Sequence, residues 1–305
     1  MLSHFRRGRG LFVRRGEVGH DENTMKIITN ILEMQSLADS LRRQGNTIGF
    51  VPTMGFLHDG HLALIRQARQ ACHVVVVSIF VNPTQFGPNE DFERYPRDAE
   101  GDRKKCEAEE VDVLFIPKVS EMYPEEPSVF VTVEGMSELL EGKVRPGHFR
   151  GVASVVNKLF NIVKPHKAFF GQKDYQQCVV IRQMVKGLNM DVEIMVHPTV
   201  REQDGLAMSS RNSYLNAGER RAAPVIFRAL KAASDLFMAG AREPEKIKDR
   251  VRAVLQGEPH LTIDYIELVD PENLMPFETP RNTLAILVAV RLGRTRLIDN
   301  ILILS

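Results

Sequence analysis

An α/β fold, with a doubly wound parallel sheet followed by a smaller α+β carboxyl-terminal domain, is what this sequence predicts. Three observations carry the prediction. Short apolar runs bounded by turn residues alternate with stretches of helical apolar spacing as far as about residue 200, the pattern of βαβ units. From Arg201 the texture changes, and two helical stretches are followed by three strand-like runs. At 305 residues the chain is also long enough for one large or two ordinary domains with a sizeable core.

Taken in order, residues 1–24 hold five arginines against three acids, with little apolar periodicity and no apolar core of a secretory signal. They are expected to be a disordered extension ahead of a start at Met25, with targeting as the alternative. Met34, Leu37, Ala38 and Leu41 then mark a helix. Thr47 to Val51 reads as a buried strand that Pro52 stops, and Leu64, Ala68 and Ala71 lie on one face of the helix that follows. His73 to Val81, with four consecutive valines, reads as a strand buried on both faces. A charged helix from Ala99 to Glu110 leads to a strand at Val111 to Ile116, and Val129 to Val133 alternates like another short strand. Val152, Val155, Val156, Leu159 and Val163 make an amphipathic helix. A strand at Lys167 to Phe170, a helix through Gln177, Ile181 and Met184, and a strand at Asp191 to Val196 complete the first part. Helices over Ala217 to Ala239 and Glu243 to Leu255 precede strands at Leu261 to Val269, Leu284 to Val290 and Arg296 to Ile303.

The chemistry is expected in the turn between the first buried strand and its helix, Gly49 to His61. In open α/β sheets ligands bind at the carboxyl ends of strands, and a helix amino terminus there offers N–H groups and partial positive charge to a phosphate. Gly55 and Gly60 would let backbone come close to a ligand, while His58 and His61, three apart, can aim at one point. A pair of histidines could instead be half of a metal site, or an accident of the surface. A zinc site would need at least one more ligand, and Cys72, Cys106 and Cys178 are far apart without a CxxC. Metal ligands are therefore unassigned.

Composition excludes several classes. Outside the extension, thirty-five basic residues face thirty-six acidic ones, a charge of −1, so no body-wide basic field points to nucleic acid. No run of about 18 apolar residues points to a membrane span. Three scattered cysteines make no disulfide framework and favour a reducing compartment, with the cytoplasm as the expectation.

Five polar segments occur in collinear order: PTMGxLHxGH at Pro52 to His61, FVNPxQF at Phe80 to Phe86, RPxHFxGV at Arg145 to Val152, FGxKDxQQ at Phe170 to Gln177, and DGLAMSSRNxYL at Asp204 to Leu215. Together they resemble the pantothenate synthetase family, the pantoate and β-alanine ligases of the HxGH nucleotidyltransferases, from about Met25 to Asn300. HxGH alone is shared by a whole superfamily, whereas five such segments in order are highly specific. The resemblance implies a Rossmann-like ATP- and pantoate-binding domain over 25–200, a lid domain over 201–305, Mg²⁺ and a homodimer. It implies that pantoate is first adenylated by ATP, and that β-alanine then displaces AMP.

By the same resemblance His58 and His61 face the phosphates, His61 as the proton donor, and Lys173, Ser209, Ser210 and Arg211 close over the triphosphate. The ATP-binding set would be Met54, Gly55, Phe56, Leu57, Asp59 and Gly60 beside the histidines, with Gly171, Gln172, Val200 and Met208, and Asp174 on a ribose hydroxyl. Gln85 and Gln177 would hold pantoate. That choice makes chemical sense: a carboxylate that must attack is oriented by neutral carboxamides, whereas a guanidinium clamp would hold its lone pairs. Tyr95 and Asp102 match weaker positions near the site, and His148 is expected to be structural. Gln172 stands where the family commonly has Glu, a departure not expected to matter. The rival readings are another HxGH nucleotidyltransferase acting on a different acid or phosphate acceptor, and a nucleotide-binding regulatory module without turnover.

Overall fold

The computed structural model of the protein describes residues 24–88, 90–276 and 283–304. The extension expected over 1–24 falls, apart from Thr24, outside these residues. The first part of the chain runs β1 (Lys26–Ile28), α1 (Ile31–Arg43), β2 (Ile48–Thr53), α2 (Asp59–Ala71), β3 (Val74–Ile79), α3 (Ala99–Ala108), β4 (Val113–Phe115), α4 (Val119–Met122), α5 (Glu141–Val144), α6 (His148–Val163), β5 (Lys167–Gly171), α7 (Tyr175–Gly187) and β6 (Glu193–His197). The second part runs α8 (Ala217–Ala222), α9 (Val225–Met238), α10 (Pro244–Leu255), β7 (Leu261–Val269), β8 (Thr283–Leu292) and β9 (Thr295–Leu304).

Strands β1 to β6 form one parallel sheet in the order β1-β4-β3-β2-β5-β6. The valines of β3 are buried because both faces of the sheet are covered. Met34 and Ala38 of α1 join α6 and α7 in one apolar cluster. Leu64, Ile65 and Ala68 of α2 join Cys106 of α3 in another. Strand β2 lies between β3 and β5, where the chain order reverses, so the segments leaving all three carboxyl ends border one crevice.

The second part packs α9 and α10 on an antiparallel sheet in the order β7-β8-β9, around its own apolar cluster. A smaller cluster joins the two parts, with Tyr175 and Val179 of α7 against Ala285 and Leu287 of β8. No helix among the described residues is long and apolar enough to cross a membrane.

Three local expectations fail for identifiable reasons. Pro52 does not stop β2, which continues to Thr53. Its neighbour β5 pairs with β2 only at Gly49 and Phe50, so the missing N–H of Pro52 lies beyond that ladder. The alternating run Val129 to Val133 forms no strand, and the Val131 N–H donates instead to Ser154 Oγ of α6 at 2.9 Å. The helix expected over Ala217 to Ala239 is two, because Pro224 sits at the start of α9 and supplies no N–H to continue α8.

Candidate active site

The turn after β2 is folded by a carboxylate from elsewhere. Asp102 of α3 accepts from the N–H groups of Phe56 at 2.7 Å and Leu57 at 2.6 Å. Gly55 and Phe56 both have positive φ, and a Cβ at Gly55 would stand 2.9 Å from Asp102 Oδ2, so glycine is required there. Burial raises the Asp102 carboxyl above its ordinary range, against the opposing pull of the Leu57 and Phe56 N–H groups.

The two histidines close the start of α2 as a reciprocal cap. His58 Nδ1 accepts from Gly60 N–H at 3.2 Å, and His61 Nδ1 accepts from His58 N–H at 3.3 Å. A neutral ring that accepts at Nδ1 carries its proton on Nε2. Burial pushes His58 down to about 4, and burial followed by the neighbouring His58 pushes His61 down to about 3. Both are therefore neutral N–H donors near pH 7. The expectation of free backbone N–H groups for a phosphate is corrected accordingly: those of Phe56, Leu57, Gly60 and His61 already have partners within the protein.

The segment after β3 presents Gln85 to the cavity that the histidines also line, from a single 3-10 turn, Pro83–Gln85. Its Oε1 accepts from Asn82 Nδ2 at 3.2 Å, and among the described residues its Nε2 donates only to the thioether of Met54, at 3.2 Å. Asn82 is itself held by Tyr123, whose hydroxyl donates to Asn82 Oδ1 at 2.8 Å. Gln177, in the first turns of α7, makes no side-chain hydrogen bond among the described residues and lines the same cavity.

That cavity, about 220 Å³, is lined by Met54, His58, Gly60 and His61, by Gln85 and Gln177, and by Gly171 and Lys173. Val200, at the end of the first part, and Met208, Ser209, Ser210 and Arg211 of the second also line it. A larger cavity of about 700 Å³ lies between the antiparallel sheet and the segments around α5 and the starts of α6 and α7. Lys173, Asp174, Gln177 and Arg211 line both, so the two form one cleft.

The charges in the cleft are held by carboxylates. Lys173 Nζ lies 3.3 Å from Asp174 Oδ1. Arg211 donates through Nε and Nη2 to both oxygens of Asp91, at 3.0 and 2.9 Å. Burial pushes the Asp91 carboxyl up, but Arg211 outweighs it and holds the group below its ordinary range. Ser209 Oγ accepts from Arg211 N–H at 3.3 Å, and Ser210 Oγ donates to Phe56 O at 3.4 Å. The second of these bonds ties the 201–214 segment to the β2 turn.

Five of the nucleotide residues expected from sequence stand off the cavity wall. Gly55, Phe56 and Leu57 are the folded body of the turn, and Asp59 points to solvent as the first residue of α2. Gln172 turns to β9: its Nε2 donates to Asn300 Oδ1 at 3.1 Å, and Asn300 Nδ2 donates back to the main-chain oxygens of Gln172 and Lys173, each at 2.9 Å. Its place is the junction of the two parts, where a glutamate would offer Asn300 Oδ1 no donor. Sequence reasoning missed Asp91, Glu90, Asn82 and Asn300. The first two sit in a charged run that looks solvated, and Asn300 is 127 residues from the lysine whose main chain it binds.

Residues 26–302 match the family described as Pantoate-beta-alanine ligase. The chain belongs to that family. A pantothenate synthetase from Thermotoga petrophila is 56% identical over 276 residues, 90% of this chain and 99% of the relative. The crystal structure of pantothenate synthetase from Thermus thermophilus superposes with a TM-score of 0.86 at 47% identity, covering 91% of this chain and 99% of that one. A pantoate-beta-alanine ligase from Francisella tularensis, crystallised with beta-gamma ATP and beta-alanine, gives 0.75 at 36% identity over 92% and 98%. Membership makes this protein an ATP-dependent ligase.

Proposed function

We propose that the protein condenses pantoate with β-alanine to pantothenate in two half-reactions inside this cleft. A pantoate carboxylate oxygen attacks the α-phosphorus of ATP, the bond to the β-phosphate oxygen breaks, and pyrophosphate leaves. The β-alanine nitrogen then attacks the carbonyl carbon of the pantoyl adenylate, loses a proton, and AMP departs. One observation carries the reading: donors suited to phosphate and neutral carboxamides suited to a reacting carboxylate line one cavity of about 220 Å³.

A thioester intermediate on a cysteine has no support among the described residues. Cys72, Cys106 and Cys178 are buried and free, and burial pushes the thiols of Cys106 and Cys178 up to about 12. The chemistry is then mostly positioning and preorganised donors. His58 and His61 would direct Nε2–H groups at the phosphates, with Lys173, Ser209, Ser210 and Arg211 opposite. Met54, Gly60, Gly171, Val200 and Met208 would contact the nucleotide, and Asp174 a ribose hydroxyl. Gln85 and Gln177 would orient pantoate. Mg²⁺ suits the site as a companion of the triphosphate, since it prefers phosphate oxygens and water to an all-protein cage. A cytoplasmic homodimer is the accompanying family expectation.

The test is an omission series that follows pyrophosphate and AMP separately. ATP with pantoate should release one equivalent of pyrophosphate in a burst, and AMP should appear only when β-alanine is added. AMP formed at the full rate without β-alanine would overturn the adenylate order.

A further inference from the structure

The segment Arg145 to Val152 supplies none of the proposed substrate ligands, yet its polar groups converge on one residue, Gln85. His148 Nδ1 lies 2.8 Å from the Gln85 main-chain oxygen, and Arg145 Nη2 donates to the same oxygen at 3.4 Å. The other ring nitrogen, Nε2, faces Arg145 Nη1 at 3.0 Å. A guanidinium only donates, so Nε2 accepts, Nδ1 carries the proton, and the ring donates to Gln85. Burial, with Arg145 second, pushes the His148 imidazole down to about 4, which keeps this neutral tautomer near pH 7. Glu90 in turn fixes Arg145, accepting from its Nε at 2.7 Å and its Nη2 at 2.5 Å.

The backbone of α6 completes the cradle. A Cβ at Gly151 would stand 2.7 Å from Gln85 Cα and would also strike the Thr84 carbonyl, so only glycine allows this approach. Asn82 Nδ2 bridges the gap, donating to Gly151 O and to Gln85 Oε1, both at 3.2 Å. Gln85 is thus held at its main-chain oxygen, at its Cα and at its side-chain oxygen. Its carboxamide N–H₂ is left with a thioether, a weak acceptor.

We infer that His148 is a positioning residue for the acid substrate: it holds the Gln85 main chain so that the side-chain N–H₂ meets the attacking carboxylate. The inference rests on the proposed pairing of Gln85 with pantoate. It gives the RPxHFxGV segment, whose Arg145, His148 and Val152 also line the cavity, a function that needs no substrate contact, and it takes His148 beyond the purely structural role expected from sequence.

The test compares His148→Phe, which keeps a ring without either nitrogen, with His148→Asn, whose Nδ2 falls close to the place of Nδ1. Each is made alone and with Gln85→Ala, and pyrophosphate release is followed while pantoate and ATP are titrated separately. His148→Phe should lower kcat/KM for pantoate about ten- to a hundredfold, the range of a lost positioning bond. ATP affinity measured without pantoate should stay within about twofold, and His148→Asn should recover most of the loss. In the Gln85→Ala background, His148→Phe should add no more than about twofold, because the group it positions is gone. Full additivity, equal losses for ATP and pantoate, or no rescue by asparagine would overturn the inference. If Gln85→Ala itself leaves the pantoate response unchanged, the substrate assignment falls and this inference with it; if Gln85→Ala acts and His148→Phe does not, only this inference falls. His148→Ala is read in the same way should the phenylalanine variant not fold.

Discussion

The two walls of the cleft are held in opposite ways. On the Gln85 side a neutral group is fixed by packing and by neutral or distant donors, down to a backbone contact that only Gly151 permits. On the Arg211 side a cation is parked on a carboxylate, with side chains only 29% and 14% exposed for Arg211 and Asp91. A neutral amide can wait in place without a partner at small cost, whereas a half-buried charge needs a counter-ion until its ligand arrives. On the proposed assignment, the acid wall is preorganised and the phosphate wall would exchange partners.

The largest effect expected is on the phosphate wall. Lys173→Ala should slow pantoate-dependent pyrophosphate release by about two to three orders of magnitude, comparable to losing one transition-state donor. Thermal stability should hold, since among the described residues the lysine pairs only with its neighbour Asp174. His61→Ala should lose a similar rate and also some stability, because His61 is half of the cap on α2. Near-normal turnover in Lys173→Ala would remove this wall from the chemistry.

Next comes the acid wall. Gln85→Glu is nearly isosteric, but it puts a second carboxylate beside that of pantoate and removes the N–H₂ donor. The pantoate-dependent rate should fall about a hundredfold at neutral pH and recover in part as acid protonates one of the pair. A pH-independent loss would mean that repulsion is not the cause.

Asp91→Asn tests the exchange of partners directly. If the triphosphate has to displace the Asp91 carboxylate from Arg211, removing its charge should tighten ATP binding, about fivefold by calorimetry, which is a modest electrostatic effect. Weaker binding would instead show that Asp91 aims Arg211, and that this wall is preorganised too.

The smallest effect is on stability against pH. The folded-state values of His58 and His61, about 4 and about 3, lie below the ordinary histidine value of 6.5, so the unfolded chain binds more protons. Their contribution is complete above about 6.5 and is lost progressively as pH falls toward 4 and 3. The melting temperature should therefore decline across that window, and less steeply in His58→Asn. An identical slope in the variant would put the acid sensitivity elsewhere.

The secondary structure was legible where two-sided burial or helical spacing is strong, as in Val74–Ile79 and α6. It misled at Val129 to Val133, where period-two alternation reflects contact with Ser154 and the α6 surface and no neighbouring strand. Gly55 and Gly151 look alike in sequence, and only the structure shows one bending a turn and the other admitting a helix backbone.

What the sequence determined by itself is the set of local preferences and the order of the polar segments: strands ending in glycine, proline and histidine, two glutamines among them, and a family resemblance along the body of the chain. The local preferences follow from periodicity and turn chemistry, which act over a few residues. Which group satisfies which was decided only by the tertiary structure. Asp102 takes the turn amides 46 and 45 residues away, Asp91 takes Arg211 at 120, and Asn300 takes the Lys173 main chain at 127. Hydrogen-bonding capacity and charge can be read from composition, but every such group has many candidate partners along the chain. Only the packed sheet order, which brings the carboxyl ends of β2, β3 and β5 together, selects one.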